Sequence, residues 1–598
     1  MQDFNHITII DYATVLPGQG TNEETIISNG VRRLNLKVAF ETIARLNYTA
    51  RYVNARDYHQ EIGEWFGTDH PELIIKYDDL VTQAYRYQAK AGHLRLINLW
   101  SNLKLLEVIL EEGAQNDSED IRDSGIISEQ LLLTYLALNG IFTRRADLAP
   151  TTIPDAVHPW LYCYYGLALT LMPYYDLVHI KPDLLIFVQL LKAGYFLKFF
   201  GQFAPMLLTK FLEQFDVKDW KEYLRGVMPV AHHAMLEKNK GIEYLVIDPS
   251  ADHVNKSNKI LTALSLGSHT QYNRTADFKI VRAHPLLKIA EFKFLVADEM
   301  LIYNQLYNSL YFEFAGLAFT YPDLIRKGDF KGLFNDYFTE NYLVKEILGG
   351  IFKASKKDIL HFAGSDIKAK FADKKQGEPD YYARDEHNIL LFEIKDSLIS
   401  GIVKQSGQYE ALNKELLDKF YFASKKKPNG ETKEQPKAIK QLLNSIEKLL
   451  TGASEYDKGL DCKKVTFFPI MLYLDQALST PGINDILQFW FDEEIQLRPA
   501  LIPLKKQIMP MTIIDIDTLI LYHNHFKSGE IAFEKIIPEY WTWKMQNKTA
   551  GIKHQNEAII NLSLQSFSGY LGNKIKIKKI ADIMLAVGES LFETNDRL

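Results

Sequence analysis

The sequence Gly377-Glu378-Pro379-Asp380 is an acidic turn that precedes the apolar run Ile389-Leu390-Leu391-Phe392-Glu393-Ile394-Lys395-Asp396. Because side chains alternate sides along a strand, Glu393 and Lys395 share one face while Ile394 points to the other. Asp380 lies upstream at a separation that suits a hairpin and would bring its carboxylate beside Glu393. Two carboxylates and a lysine on one surface predict a Mg²⁺ site, and this chemistry favours cleavage of a phosphodiester.

The bulk composition is that of a globular protein with several domains. The chain has 598 residues, of which 47% are hydrophobic and 24% charged, so it is long enough for more than one core. Its formal net charge of −6 excludes a chain-wide basic surface, and any nucleic-acid contact must come from a local patch. The two cysteines are far apart, and the N-terminus has no signal-peptide pattern. We therefore expect a reduced, cytoplasmic protein.

Changes of pattern along the chain divide it into four predicted regions. Residues 1–240 are predicted to form a helical N-terminal domain, because apolar residues recur there every three or four positions. Residues 241–330 mix strand-like and helical segments, and residues 331–500 have an α/β order of helices and strands. Residues 501–598 are predicted to be a strand and helix extension that packs on 331–500. The predicted fold class is α+β multidomain, with a large, mostly helical first region and a core with a central mixed sheet.

Residues 157–216 are unusually apolar, which raises the question of whether this segment spans a membrane. Residues 160–175 carry no charge but include Pro173, and residues 184–195 are interrupted by Lys192. A membrane span needs roughly 20 consecutive apolar residues. We therefore predict buried core helices in this segment and no membrane association.

Two predicted helices flank the opening stretch. Residues 336–354 are predicted to form a helix that carries Glu340 and Glu346. Residues 438–450 are predicted to form a second helix, which carries Gln441. A carboxylate before the strand and an amide after it can thus reach the surface that carries Glu393 and Lys395.

A second buried strand is predicted over residues 465–474. Pro469 lies within it and has no N–H for a sheet hydrogen bond. This proline predicts that the strand lies at an edge of the sheet or contains a bulge.

Two lysine-rich segments are candidate contacts to phosphate groups. Lys425, Lys426 and Lys427 lie in an insert that would add positive charge near the carboxylates, and the alternative is a solvated loop. Lys574-Ile575-Lys576-Ile577-Lys578-Lys579 alternates over its first five residues. We favour an edge strand protected by lysines for this second segment, with a phosphate-contacting surface as the alternative.

The Glu-Pro-Asp turn followed by Glu-Ile-Lys resembles the PD-(D/E)xK nuclease superfamily, which includes many restriction, repair and phage-defence endonucleases. The core of that family is a helix, a three-stranded antiparallel unit, a helix and a further strand. Residues 336–475 are similar in order, whereas the long helical N-terminal half lies outside the resemblance. The resemblance implies a restriction-endonuclease-like domain over residues 331–500.

The resemblance also implies a role for each polar residue of the opening stretch. Asp380 and Glu393 would bind Mg²⁺ or Mn²⁺, and the Ile394 carbonyl would complete the ligand set. Lys395 would orient or help deprotonate the attacking water, or stabilise the charge that grows on the phosphate. A lysine beside two carboxylates stays protonated unless a metal is bound, which favours the role of a cation over that of a base.

Two assignments stay open from the sequence. The helix carboxylate that contacts the metal would be Glu340, with Glu346 as its rival. The helix glutamine found in several branches of the superfamily would be Gln441, with Gln408 as its rival. Glu378 would be an accessory acid.

The sequence therefore predicts a metal-dependent endonuclease that acts on nucleic acid, with DNA favoured over RNA. By family analogy alone it would be a prokaryotic genome-defence effector with an N-terminal sensing or regulatory region, and a homo-oligomer or a partner defence protein stays open. The alternatives are a non-catalytic binding scaffold that retains the nuclease fold and a helical membrane-associated protein. For Glu393 and Lys395 alone, the competing explanation is a surface salt bridge, which would leave Asp380 unexplained.

Overall fold

A computed structural model of the chain describes most residues between 8 and 592. The described residues are 8–17, 22–31, 34–52, 58–86, 94–112, 124–177, 182–235, 244–267, 276–325, 330–353, 359–370, 378–426, 432–452, 454, 456–457, 460–462, 464–547, 564 and 566–592. They are mostly helical, with a five-stranded mixed sheet in the C-terminal half. This agrees with the α+β fold class at the level of helices and sheet.

The chain divides into two compact units. The N-terminal unit comprises Met1–Leu148, Phe215–Val217 and Glu222–Ser309, and the C-terminal unit comprises Ala149–Gln214, Lys218–Lys221 and Leu310–Leu598. Residues 149–214 therefore belong with the five-stranded sheet, although helical periodicity alone grouped them with the helical region 1–240. The boundaries of the four regions otherwise stay a prediction.

The N-terminal unit combines helices with two small sheets. Strands β1 (Thr8–Ile9) and β2 (Leu94–Arg95) pair in parallel, and β3 (Tyr244–Val246), β4 (Leu286–Ala290) and β5 (Lys293–Val296) form an antiparallel sheet in the order β3-β5-β4. Its helices are Tyr12–Val15, Glu23–Val31, Leu36–Tyr52, Tyr58–Phe66, Pro71–Ala84, Leu99–Glu111, Met228–Met235, Val254–Ala263, Ala276–Phe278 and Lys279–Ala283. The helices Ser124–Thr151, Trp220–Gly226 and Glu299–Thr320 include residues of both units.

A buried carboxylate, Glu61, joins a helix of this unit to β2. Its side chain accepts hydrogen bonds from Arg95 Nε at 2.6 Å and from the backbone N–H of Ile97 at 3.2 Å. Burial raises the pKa of Glu61, while the Arg95 guanidinium opposes that rise. Removing the arginine would leave an unpaired buried carboxylate, which is costly.

The C-terminal unit is built on the five-stranded sheet. Its strands are β6 (Leu360–Ala363), β7 (Tyr381–Asp385), β8 (Asn388–Lys395), β11 (Thr466–Tyr473) and β12 (Thr512–Asp515), and β9 (Phe422–Lys426) and β10 (Thr432–Pro436) form a separate hairpin. The strand order is β12-β11-β8-β7-β6. The pairs β6–β7 and β7–β8 are antiparallel, and the pairs β8–β11 and β11–β12 are parallel.

Helices surround this sheet, and those in contact with it include Ala438–Leu450 and Phe567–Lys574. The helices of the unit are Pro159–Tyr175, Pro182–Phe203, Pro205–Glu213, Pro322–Leu324, Phe330–Gly332, Leu333–Val344, Lys345–Lys353, Gly364–Lys370, Gly401–Ser406, Tyr409–Phe420, Ala438–Leu450, Gln476–Ser479, Ile483–Gln496, Ile502–Gln507, Ile516–Leu521, His523–Lys527, Phe533–Asn547, Phe567–Lys574 and Asp582–Phe592. The segment Leu333–Val344 is a π-helix. Uninterrupted burial of the apolar residues of β8 is expected for a central strand with covered faces.

The helix Ala438–Leu450 covers β8 because of the spacing of its apolar residues. These residues recur every three or four positions and form one buried stripe: Ile439, Leu442, Leu443, Ile446 and Leu449. The stripe shares one core with β8, β11 and the helix Pro159–Tyr175. Gln441 lies at the flank of the stripe, so the packing that buries Leu442 also orients the glutamine.

Two described helices are long and apolar enough to cross a membrane by length and composition. They are Gly125–Thr151 and Leu184–Phe203, and 67% and 72% of their most apolar windows are buried within the protein. Burial of this extent agrees with the predicted core helices and is compatible with a soluble protein.

Of the two alternatives predicted for Pro469, the edge is wrong and an irregularity is present. Strand β11 lies inside the sheet between β8 and β12, and its register with β8 is continuous. On the other side the pairing shifts by one residue, because Phe467 is bridged to Ile508 whereas Ile470 pairs with Thr512. Pro469, which has no N–H to donate, lies within this shift.

The prediction of an edge strand over residues 574–579 is also wrong. Lys574 ends the helix Phe567–Lys574, and residues 575–580 belong to no strand. The insert predicted as a lysine-rich loop contains the β9–β10 hairpin, with Lys425 and Lys426 at the end of β9. Lys427 lies outside the described residues.

We predict that Leu442→Ala lowers the free energy of unfolding by about 2–5 kcal/mol, because it opens a cavity beneath β8. Urea denaturation measures this change. The matched control is Gln408→Ala, an exposed position at which a change within about 0.5 kcal/mol is expected. Equal stability of Leu442→Ala and the control would contradict the assigned packing.

Candidate functional site

The hairpin of β7 and β8 brings Asp380 and Glu393 to one end of the sheet. Tyr381 pairs with Phe392, so Asp380, which comes just before Tyr381, falls opposite Glu393. Asp380 Oδ2 accepts a hydrogen bond of 2.7 Å from the backbone N–H of Ile394. The predicted hairpin is confirmed.

Lys395 lies on the same face of β8 as Glu393. Its Nζ donates to Glu393 Oε1 at 2.8 Å, and the Glu393 side chain is only 1% exposed. An ion pair this deeply buried differs from the surface salt bridge that was the competing explanation. Breaking it by removing the lysine would leave two buried carboxylates without their cation.

Gln441, and not Gln408, lies at this site. Lys395 Nζ donates to Gln441 Oε1 at 3.4 Å, a long contact from the helix Ala438–Leu450 to the end of β8. Gln408 is exposed and precedes the helix Tyr409–Phe420 without a side-chain capping bond. The glutamine after the strand therefore contacts the same ammonium group as Glu393.

Glu340, and not Glu346, interacts electrostatically with the cluster. Burial raises the pKa of Glu340 to about 9, and the Asp380 carboxylate adds to that rise. Glu346 follows in the helix Lys345–Lys353 and is exposed. Glu340 belongs to the π-helix Leu333–Val344, and π-helical turns are rare and frequently occur at functional sites.

The cluster holds more acidic side chains than basic ones. Burial and the Asp380 carboxylate raise the pKa of Glu393 to about 8, although Lys395 opposes the rise. Burial also raises the pKa of Asp380, against the opposing effect of Lys395. For Lys395, burial lowers the pKa, but the carboxylates of Glu393, Asp380 and Glu340 outweigh burial and raise it. The lysine is therefore held as a cation.

The carbonyl of Ile394 is left out of the sheet ladder. The backbone N–H and C=O groups of even-numbered residues of β8 point toward β7. Continuing the register two residues beyond the Tyr381–Phe392 pair places Ile394 opposite Pro379. A proline has no N–H to donate, so it cannot bond the Ile394 carbonyl. The ladder ends at this point, with a carbonyl oxygen beside the Asp380 carboxylate.

A close approach of Gly364 fixes the position of the Pro379–Asp380 turn. Gly364 N donates to the Asp380 carbonyl at 2.7 Å. A Cβ on Gly364 would lie 2.9 Å from the Pro379 carbonyl oxygen and 3.3 Å from Asp380 Cα. Glycine is required here by the approach of two backbones. Gly364 is distant in sequence from the motif, and no sequence pattern predicts that it contacts the turn.

Two further interactions at the site were also missed from the sequence. Thr339 Oγ1 donates to Asp396 Oδ2 at 2.6 Å and ties the residue before Glu340 to the end of β8. Burial raises the pKa of Asp396 to about 6. Asp336, exposed at the start of the π-helix, adds to the raised pKa of Glu340.

Glu378 pairs with a lysine at the edge of the site. Lys368 Nζ lies 3.1 Å from Glu378 Oε1, and the lysine side chain is largely exposed. The positive charge of Lys368 opposes the raised pKa values of Asp380 and Glu393. Glu378 thus sits beside the cluster as half of an ion pair, and its role as an accessory acid stays a prediction.

The oxygen ligands suit a hard divalent cation, although they are not arranged as a closed cage. Among the described residues, no three Asp, Glu, His or Cys side chains already converge as a metal-binding group. One oxygen of Asp380 is bonded to the Ile394 N–H, and one oxygen of Glu393 is bonded to Lys395. Surplus carboxylate charge and a carbonyl outside the ladder fit Mg²⁺ or Mn²⁺, which prefer oxygen ligands and keep several waters.

Comparison with known proteins adds nothing to this geometry: no protein-family model, no curated protein and no solved structure matches the chain. The resemblance to the PD-(D/E)xK superfamily therefore stays a prediction from the motif. The function has to be argued from the site itself.

We predict that Gly364→Ala lowers the free energy of unfolding by about 1–3 kcal/mol, because the new methyl group must push against the Pro379–Asp380 backbone. The control is Gly349→Ala in the helix Lys345–Lys353, where the nearest atom to the new Cβ is Tyr381 Oη at 4.0 Å. Alanine should stabilise that helix by about 0.5–1 kcal/mol. Urea denaturation that gives both variants the same sign of change would contradict the close approach.

We predict that Glu393→Gln becomes more stable relative to the wild type as pH rises from about 5 to 8 in EDTA. The folded wild type keeps a proton on Glu393 up to a pKa of about 8, and the unfolded chain releases it near its ordinary value. Glu393 therefore takes up one proton on folding in this range, and its contribution lowers the stability of the wild type by up to about 1.4 kcal/mol per pH unit. Glutamine has no proton to take up.

Urea denaturation at three pH values measures this gap. The exposed substitution Glu346→Gln serves as the control and should run parallel to the wild type at every pH. A constant gap for Glu393→Gln would show that Glu393 is ionised in the folded protein.

Proposed function

We propose that the C-terminal unit is a Mg²⁺- or Mn²⁺-dependent nuclease that hydrolyses phosphodiester bonds inside a nucleic acid. The observation that carries this proposal is the grouping of Asp380 and Glu393 with Lys395 at the end of β8, close enough to Glu340 for all three acids to act on the lysine. A purely structural ion pair needs one acid and one base, and it does not account for three acids, of which Glu393 and Glu340 have pKa values raised by burial and further by the Asp380 carboxylate.

Asp380, Glu393 and the Ile394 carbonyl would hold the metal ion, with Glu340 contacting it directly or through water. A bound divalent cation would acidify a coordinated water and neutralise charge on the phosphate. Its positive charge would also relieve the repulsion that raises the pKa values of Glu393 and Glu340. Oxygen ligands of this kind favour Mg²⁺ or Mn²⁺ over softer metals.

Lys395 would act as a fixed positive charge. Its raised pKa keeps the ammonium group protonated, so it donates hydrogen bonds and does not remove a proton. Glu393 and Gln441 hold Nζ from two sides, which limits where the ammonium group can point. A cation held in this way stabilises the charge that develops on a phosphate in the transition state.

The substrate and setting rest on the family resemblance. We take DNA as the favoured substrate over RNA, because restriction and repair endonucleases belong to the family that the motif resembles. The same resemblance supports a cytoplasmic genome-defence effector in which the N-terminal unit senses or regulates. Lys425 and Lys426, on the β9–β10 hairpin, stay candidates for contacts to the phosphate backbone of the nucleic acid.

We predict that purified protein cleaves plasmid or oligonucleotide DNA only when Mg²⁺ or Mn²⁺ is added. Asp380→Ala and Lys395→Ala should each lower the cleavage rate by about 100-fold or more, because one loses a metal ligand and the other the fixed cation. Gel electrophoresis of end-labelled substrates measures the rate, and an RNA of the same sequence tests the preference for DNA.

The rivals of the assigned residues provide matched controls. Glu346→Ala and Gln408→Ala should keep the wild-type rate, whereas Glu340→Ala and Gln441→Ala should lose activity. Equal metal-dependent cleavage by the wild type, Asp380→Ala and Lys395→Ala would sink the assignment. Binding of nucleic acid without any cleavage would favour the non-catalytic scaffold.

A further inference from the structure

A short basic segment connects the last two described helices. The segment Lys574-Ile575-Lys576-Ile577-Lys578-Lys579 starts at the end of the helix Phe567–Lys574 and precedes the helix Asp582–Phe592. Ile575 has extended backbone angles, φ −126° and ψ 121°. Because residues 575–580 join no strand, protection of a sheet edge does not explain the lysines.

The segment turns its lysines and its isoleucines to different sides. Ile575 and Ile577 are half-buried, whereas Lys576, Lys578 and Lys579 are exposed. Alternation of this kind is what an extended chain produces when one side rests on the protein. The isoleucines thus attach the segment and leave its lysines facing solvent.

Hydrogen bonds fix both ends of the segment. At its start, Ile575 N donates to the Leu571 carbonyl at 2.8 Å. At its end, Asp582 N donates to Asn524 Oδ1 at 3.1 Å, and Asn524 Nδ2 donates back to Asp582 Oδ1 at 3.0 Å. A segment held at both ends loses little conformational freedom when a ligand binds.

The positive charge of the exposed lysines is not neutralised locally. Lys574 is hydrogen-bonded to Glu539, and this pair is accounted for within the protein. Within the described parts of the chain, Lys576, Lys578 and Lys579 make no ion pair with an acidic side chain. Three neighbouring ammonium groups on an ordered backbone form a local cationic surface in a protein whose net charge is −6.

We propose that this basic segment, through Lys576, Lys578 and Lys579, binds the phosphate backbone of a nucleic acid. Residues two apart in an extended chain are separated by about 6.5 Å, so neighbouring ammonium groups of the segment can contact separate phosphates of one strand. A DNA strand carries one charge per about 3.4 Å of helix axis. Ammonium groups bind phosphates as point charges and read no bases, so the contact is independent of sequence. The inference deepens the proposed nuclease function and rests on nucleic acid being its substrate.

One helix links the basic segment to the element that carries Glu340. The helix Asp582–Phe592, which follows the segment, packs on the helix Pro182–Phe203. The π-helix Leu333–Val344, which carries Glu340, packs on the same helix. The segment and the candidate site therefore belong to the same compact unit.

Fluorescence anisotropy with a labelled DNA oligonucleotide, in EDTA and over a series of KCl concentrations, tests the proposal on the full chain. The variant Lys576→Gln/Lys578→Gln/Lys579→Gln should lose about tenfold or more in affinity at low salt. The slope of log affinity against log salt should fall by about 2 to 3, since each phosphate contact contributes about 0.7–0.9. Unlabelled single-stranded and duplex DNA then compete as two separate arms.

The charge-matched control is Lys464→Gln/Lys505→Gln/Lys506→Gln, three other exposed lysines of the same unit. It should bind like the wild type, and an equal loss in both triple variants would overturn the proposal. Unchanged affinity and slope in the segment variant would also overturn it, as would loss of binding to anionic lipid vesicles without loss of DNA binding. Because the assay needs no metal, failure of cleavage and failure of this contact are separate results.

Discussion

The burial of Glu393 against Lys395 is the constraint on which the centre of the C-terminal unit depends. Two carboxylates, Asp380 and Glu393, cannot lie together inside a protein unless a cation and backbone donors compensate them. Lys395 supplies the cation, and the Ile394 N–H supplies the donor. These groups are brought together by the β7–β8 register, by the end of the hydrogen-bond ladder at Pro379 and by the glycine at position 364.

The elements nearest the motif could be predicted because their patterns are local. An apolar run ending in Glu-Ile-Lys indicates a central strand, and the stripe through Leu442 indicates a helix that covers it. Those two patterns were enough to bring Asp380, Glu393, Lys395 and Gln441 together.

Other features of the sheet and of the candidate site could not be predicted, because they depend on contacts between residues that are distant in sequence. Pro469 indicated an edge or a bulge, and only the pairing with residues 508–512, which shifts by one residue across Pro469, decides between the two. The choice of Glu340 over Glu346 follows from where the π-helix ends, which no apolar period reveals. Helical periodicity over residues 149–214 likewise does not say which core they join.

The parallel pairing of β8 with β11 has a consequence for synthesis of the protein. Glu393 lies opposite Met471, and Lys395 lies opposite Tyr473, on a strand that the ribosome makes much later. Until that strand has emerged, one side of β8 has no partner, and the charged cluster stays in contact with water. The candidate site is therefore assembled only after most of the chain exists, so a chain that ends before β11 cannot carry the finished site.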